Sequence, residues 1–315
     1  MRCGNLYFMS LGRSSLIFLS RNRRLRHFAE SNPIGRRISD RFVAGITSDE
    51  AIETVATLHA EGLYTTLDRL GETVLTTKAA LAAKDAYGEM LDLLAARGLA
   101  PNVSVKLSQM GIEFDPSLAE WIMSGLVMHA KSVNGFVRID MEDSKFTEAT
   151  IAMTERLNAQ FGNDLVGTVI QAYLYRSESD VKRLIRQGIR IRLCKGAYRE
   201  SAAVAFPRKA DVDEAYFKLA TMMLSSGIYH GFASHDEALI DRIVTFTKER
   251  QISRSAFEFQ MLYGVRRDLQ RRLAQRGFRV RVYVPFGEEW FPYFMRRLAE
   301  RPANLFFLAK NLLRT

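Results

Sequence analysis

The segment RIRLCKGAYRE, Arg190–Glu200, decides how this chain folds. Ile191 and Leu193 alternate with Arg190 and Arg192, which is the period of a strand. Lys195, Tyr198 and Arg199 then crowd around Gly196, so the strand runs out into a charged loop that carries a glycine. A cation withdrawn from water needs a partner. A strand that ends this way therefore points its end at a ligand or at a matching set of charges.

Seven similar runs occur elsewhere: residues 63–67 (LYTTL), 103–107 (VSVKL), 136–140 (FVRID), 169–174 (VIQAYL), 231–234 (GFAS), 257–262 (FEFQML) and 280–284 (VRVYV). With 189–193 (IRIRL) they make eight segments of strand length, rich in Val, Ile, Phe and Tyr. Helix-period stretches separate them, such as AALAAKDAYGEMLDLLAARG before the second run, where Arg97-Gly98 forms a stop. Alternating strands and helices predict a parallel sheet, and eight repeats predict a distorted (β/α)8 TIM barrel. The doubly wound alternative calls for a Gly-rich first turn, and neither GxGxxG nor GxxxxGK[ST] occurs.

The totals agree with one large domain. The chain has 315 residues, 47% of them apolar and 25% charged. Of the formal charge of +10, six units come from Arg2, Arg13, Arg21, Arg23, Arg24 and Arg26 in an acid-free start, leaving +4 elsewhere. Residues 1–41 are accordingly expected to form a basic helical segment and residues 42–315 the barrel. A mitochondrial presequence is the other reading of so Arg-rich a start. The apolar run within it is interrupted by Arg13 and is too short to span a bilayer. Cys3 and Cys194 provide neither a CxxC pair nor metal-ligand spacing, so no metal is expected and a reducing compartment fits.

In a barrel of this kind the site lies at the C-terminal ends of the strands. Those ends carry Asp68, Lys106, Asp140, Gln171, Arg192, Lys195, Ser234, His235, Gln260, Leu262 and Tyr283. Taken singly, each has a plain structural reading: Lys106 and Asp140 as an ion pair, His235 as a hydrogen-bonded histidine, Tyr173 and Tyr283 as core aromatics. The barrel gathers them at one rim. After the eighth run comes a helix opened by Pro292, on which Arg296 and Arg297 share a face with Glu300. Such a pair of guanidinium groups either forms ion pairs along its own helix or grips a carboxylate through forked hydrogen bonds.

The motifs VSVKLS, VRIDMEDS, VIQAYLYRS, RIRLCKGAYRE, FASHD, FEFQMLYG and RVYVPFGEEWFPYFMRRLAERPAN, in order from about Phe42 onward, together resemble proline dehydrogenase in its short, single-function bacterial form. The length leaves no room for the second catalytic domain of bifunctional relatives. The resemblance implies a barrel with N-terminal helices and a last helix over its mouth, and FAD bound noncovalently. It implies oxidation of L-proline to 1-pyrroline-5-carboxylate, the first step of proline catabolism, with electrons passed to a membrane quinone. A cytoplasmic protein in peripheral contact with anionic lipid through its basic start is the corresponding expectation.

Residue by residue, the resemblance implies that Arg296, Arg297 and Lys106 hold the proline carboxylate. Tyr198, Tyr283 and Leu262 would wall the ring, and Asp140 would orient the cations. Arg192 would stand at flavin N5. Gln171, Lys195, Gly196, Ala197, Ser234, His235 and Glu300 would contact the cofactor, with Ser234 where relatives often carry threonine. Glu72 is the candidate gate carboxylate, and Asp68 is its alternative. Cys194 receives no role. Two other classes compete with this enzyme. One is a nucleic-acid-binding protein, suggested by the pI of 9.7 and seven arginines between Arg266 and Arg281, though no nucleic-acid-binding motif accompanies them. The other is a flavin-free barrel enzyme acting on a carboxylate or phosphate.

Overall fold

The computed structural model describes residues 41–71 and 73–300, with side chains described up to residue 295. Eight strands form a closed, all-parallel barrel in sequence order: β1 (Tyr64–Arg69), β2 (Asn102–Lys106), β3 (Phe136–Asp140), β4 (Val166–Gln171), β5 (Arg190–Cys194), β6 (His230–Ala233), β7 (Phe257–Leu262) and β8 (Arg279–Phe286). Helices α1 (Ser48–Ala60), α2 (Thr77–Ala96), α3 (Pro116–Ser132), α4 (Thr147–Phe161), α5 (Ser177–Arg186), α6 (Lys209–Leu224), α7 (Glu237–Glu249), α8 (Arg267–Gln275) and α9 (Trp290–Glu300) occur in chain order with them. The expected (β/α)8 barrel is therefore the observed architecture. The predicted N-terminal helical segment, residues 1–41, lies outside the described residues except for Arg41. None of the described helices is long and apolar enough to cross a membrane.

Local chemistry sets the helix ends. Thr47 accepts from the Glu50 N–H at 3.3 Å, and the Glu50 carboxylate accepts from the Thr47 N–H at 3.0 Å, a reciprocal capping box that starts α1. Asp115 caps α3, and Pro116 occupies its first turn. The outward side of the sheet is apolar and packs on the helices; Leu67, Val103, Val105, Val137, Ile139, Ile191, Leu193, Phe259 and Val282 are all buried. Helix α9 begins at the C-terminal rim. Its Trp290, Phe291, Tyr293, Phe294 and Met295 cluster with Phe42, Val43 and Leu70. Leu70 follows β1 directly, and its N–H is bonded to the Phe286 carbonyl at the end of β8. The last helix thus starts over the β8–β1 edge of the mouth, as the resemblance implied.

The inward side of the sheet is polar. Thr66, Asp68, Ser104, Arg138, Arg192, Glu258 and Gln260 are all buried. Glycines make the room: a Cβ at Gly231 on β6 would fall on the Gln260 amide. The seam between β1 and β2 has a single register pair, Leu67 with Val103, where β1 and β8 share six. Side chains close that seam instead, through Thr66 and Ser104 hydroxyls 3.2 Å apart and a Lys106–Asp68 bond of 2.7 Å.

Below these groups, Arg281 donates to Glu258 at 2.7 Å and to the Thr65 carbonyl at 2.6 Å. Burial alone would raise the Glu258 carboxyl, but Arg281 outweighs it and brings the group down to about 2. His230 accepts the Ile191 N–H on Nδ1 at 3.0 Å, and its Nε2 faces the Ser226 hydroxyl at 3.1 Å. Burial first, then Arg138 and Arg190, depress its pKa to about 3.

A histidine kept neutral in the fold binds a proton only after unfolding. Its stabilising contribution is present above the ordinary value of 6.5 and is lost as pH falls towards 3. Within that window the slope is about 1.4 kcal/mol per pH unit. Urea unfolding between pH 7 and 5 should show this loss, and His230→Gln should flatten it. An equal slope in the variant would remove His230 as its source.

Candidate active site

The structure brings Lys106, Asp140, Arg192 and Tyr283 together inside the C-terminal half of the barrel. The ends of β2 and β3 are in register, Lys106 beside Asp140, yet the two do not form the ion pair that adjacency suggests. Lys106 instead bonds Asp68 on β1, and Asp140 receives Arg192 Nη1 at 2.6 Å and the Tyr283 hydroxyl at 2.8 Å. The Arg192 guanidinium also lies over the Tyr283 ring, 5.2 Å from its centroid. Asp68 is 1% exposed and sits beneath Lys106, whose side chain is 23% exposed. Burial alone would push Lys106 down, and the carboxylates of Asp68 and Asp140 outweigh it, so the lysine remains a cation. Tyr283 is raised well above the ordinary phenol range, by burial first and then by Asp140, so it stays a proton donor.

The β4–β6 arc of the rim carries the residues expected at the cofactor. Gln171 donates to the Glu142 carbonyl at 2.8 Å and accepts the Ala197 N–H at 3.4 Å. Lys195 bridges Asp213 and Asp236 at 2.5 and 2.8 Å. Lys195 in turn holds the Asp236 carboxyl at about 2. Ser234 accepts the Asp236 N–H at 3.1 Å, and His235 Nε2 accepts the Leu262 N–H at 2.9 Å. Gly196 has φ +115°, and a Cβ there would strike the Tyr173 ring, so only glycine lets the backbone lie against that ring. Tyr198 stands on the β5–α6 loop and is 39% exposed. Burial pushes the Cys194 thiol up to about 12, which agrees with its having no assigned role. Arg296, Arg297 and Glu300 lie on α9, but their side chains are outside the described residues, as is Glu72. Asp68, the other gate candidate, is committed to Lys106 inside the barrel.

Two carboxylates not singled out from the sequence tie the rim loops together. Glu142, just after β3, accepts the Ser108 N–H at 3.0 Å and its hydroxyl at 2.5 Å. Burial raises Glu142 above its ordinary value against the lowering effect of those bonds. Glu200, the last residue of the opening motif, accepts the Ser144 N–H and hydroxyl at 2.6 and 2.7 Å, binding the β5 loop to the β3 loop. Each stands in a loop that looks solvated in the sequence, and only the serine one strand away for Glu142, or two strands away for Glu200, reveals its use.

An inward cation backed by a carboxylate, beside a second such pair and under an aromatic wall, is an arrangement suited to orienting a small anion. A family model for proline dehydrogenase matches residues 51–310. The chain belongs to the proline dehydrogenase family. It is 42% identical over 307 residues to proline dehydrogenase 1 of Bacillus subtilis (strain 168), covering 96% of this chain and 99% of that one. It is 41% identical over 280 residues to proline dehydrogenase of Deinococcus radiodurans, covering 88% and 90%. Among solved structures, proline utilization A from Bdellovibrio bacteriovorus, inactivated by N-propargylglycine, aligns with a TM-score of 0.80 and 26% identity. That alignment covers 84% of this chain and 33% of the longer one. The family resemblance drawn from the seven motifs is thus established.

The Lys106–Asp68 pair gives a direct check on the electrostatics of this proline dehydrogenase fold. Lys106→Met leaves a buried carboxylate without its cation and should destabilise the protein by about 2–4 kcal/mol. Adding Asp68→Asn should recover much of that loss. A wild-type denaturation midpoint for Lys106→Met would show that the pair carries no such weight.

Proposed function

We propose that this protein oxidises L-proline to 1-pyrroline-5-carboxylate using FAD and passes the electrons to a membrane quinone. The observation that carries the reading is the paired construction at the mouth, Arg192 with Asp140 and Tyr283 beside Lys106 with Asp68, in a chain of this family.

The residues present fit a flavin dinucleotide. Gly196 leaves bare backbone next to Lys195, and Gln171, Ser234 and His235 present hydrogen-bonding groups along the same arc. Bound FAD would supply the hydride acceptor. Arg192 contributes a fixed positive charge where negative charge accumulates during the reaction, and it needs no reorganisation because its partners already hold it. Lys106, with Arg296 and Arg297 from α9, would bind the substrate carboxylate, and three cations around one carboxylate fix orientation as well as affinity. Tyr283 and Leu262 wall the apolar ring, and Tyr198 would close on it from its loop. Asp140 balances the charge of Arg192 and orients it. Glu300 would steady the arginine helix beside the cofactor, and Glu72 would act as the gate.

The basic segment within residues 1–29 would hold the enzyme against the anionic inner face of the membrane, near its quinone, while the protein itself remains cytoplasmic. The nucleic-acid reading loses its main support. Of the arginines between Arg266 and Arg281, Arg266 and Arg272 pair with Glu237, Arg271 with Glu61, and Arg281 with Glu258 inside the barrel. These charges are already matched by the protein's own acids.

The purified protein should be yellow, release FAD on denaturation and reduce a dye only when proline is supplied. Arg296→Met and Arg297→Met should each raise the KM for proline by about 100-fold or more while flavin stays bound, since each removes a charge-assisted pair. Unchanged proline saturation in both variants would contradict the carboxylate clamp. A colourless protein that fails to bind added FAD would contradict the flavin assignment.

A further inference from the structure

Arg192 is held at all three of its nitrogens. Nη1 donates to Asp140 at 2.6 Å, Nη2 to the Ser104 hydroxyl at 3.0 Å, and Nε to Gln260 Oε1. The third contact leads downward. Gln260 Nε2 donates to Glu258 at 2.5 Å, and Glu258 is in turn fixed by Arg281 at 2.7 Å and by the Tyr229 hydroxyl at 2.8 Å. Gln260 and Glu258 are 3% and 2% exposed. Leu262 marks the mouth end of β7, so Glu258 lies four residues deeper, about 13 Å below it.

The chemistry of the three links is directional. A guanidinium only donates, and an ionised carboxylate only accepts. A glutamine between them has one orientation that satisfies both, with its oxygen towards Arg192 and its nitrogen towards Glu258. A carboxylate at position 260 would add a second negative charge against Arg192 and repel Glu258; an apolar side chain would leave the arginine held at two nitrogens instead of three. Gly231 is what admits the amide, since any side chain there would occupy its place. The mouth thereby receives an arginine held in a single direction, and the one carboxylate it bonds directly, Asp140, is shared with Tyr283.

We propose that Gln260 and Glu258 are positioning residues: a neutral amide link, oriented by a carboxylate deep in the barrel, that sets the direction and the net charge of Arg192 at the flavin. This rests on the reading that Arg192 faces the cofactor. It assigns to strand β7 a part in hydride transfer that needs no contact with proline.

Two variants separate direction from charge. Gln260→Met removes the link while Glu258 keeps Arg281 and Tyr229. The double variant Glu258→Gln with Gln260→Glu keeps the number of charges but moves the carboxylate onto Arg192. Each is checked for FAD content and thermal unfolding, then measured for kcat and KM with proline and for sulfite binding. Sulfite donates an electron pair to the oxidised flavin, and the resulting adduct carries negative charge that a nearby cation stabilises. Both variants should retain FAD and keep the KM for proline within about 2-fold, as neither touches the carboxylate clamp. In Gln260→Met kcat should fall by about 10-fold or more, and sulfite should bind correspondingly more weakly. The double variant should show the larger loss of sulfite affinity. Wild-type kcat and sulfite affinity in both variants, or a loss confined to KM, would overturn the inference with the function intact. A wild-type protein that binds no FAD would overturn both.

Discussion

The interior of this barrel is built around the cost of burying a guanidinium. Arg192 points inward at 6% exposure, and an unpaired charge there would be prohibitive. Its cost is met by side chains from three other strands, Ser104 on β2, Asp140 on β3 and Gln260 on β7. Those residues are brought together only by a closed sheet with one register. The charge therefore depends on the barrel, and the geometry of the mouth depends on the charge. The second inward pair, Lys106 with Asp68, works in the same way at the β1–β2 seam, where backbone pairing is sparse.

Above that layer the site is assembled from loops tied to one another. Glu142 binds the β3 loop to Ser108 after β2, Glu200 binds the β5 loop to Ser144 after β3, and Gln171 joins Glu142 to Ala197. The rim is thus fixed along the arc from β2 to β5, on one side of the opening. On the other side, α9 is anchored by its first half through an apolar cluster with Phe42 and Leu70. The arc proposed for the cofactor is stitched by hydrogen bonds, whereas the described half of α9 rests on apolar packing. Apolar packing is non-directional and adapts to small shifts more readily than hydrogen bonds do. That division would suit the proposed site, which would keep its cofactor and admit proline at each turnover.

Much of this was legible in the residues, and what was hidden has a physical reason. All eight runs are strands, because parallel strands buried on both sides read as short apolar segments. The fourth was displaced: residues 169–174 were expected, and Val166–Gln171 is observed. Gly167 and Thr168 weaken the apolar run at its start, where Gly167 makes room for Arg138. Ala172 prolongs the run past its end because it is buried in the main core, and Tyr173 and Leu174 because they are buried against Ala205 of the β5 loop. The candidate site residues were visible as charges at strand ends. Their pairing was not, since Lys106 has an acid on either neighbouring strand and only the packed barrel chooses Asp68. Gln260 was visible at a strand end without a role, and Glu258 escaped notice for a further reason. In FEFQML the polar alternation looks like a solvent face, but in a closed barrel that face is the interior. Arg296, Arg297, Glu300 and Glu72 rest on the family resemblance alone.

In the function proposed for this chain, a barrel-held Arg192 promotes transfer of hydride from proline to bound flavin. Anaerobic mixing of the FAD-loaded protein with proline tests it most directly, by following the bleaching of flavin absorbance in the wild type and in Arg192→Met. Bleaching should be rapid in the wild type and slower by about 100-fold or more in the variant at saturating proline with its flavin retained. Bleaching of the flavin-replete variant at the wild-type rate would contradict it.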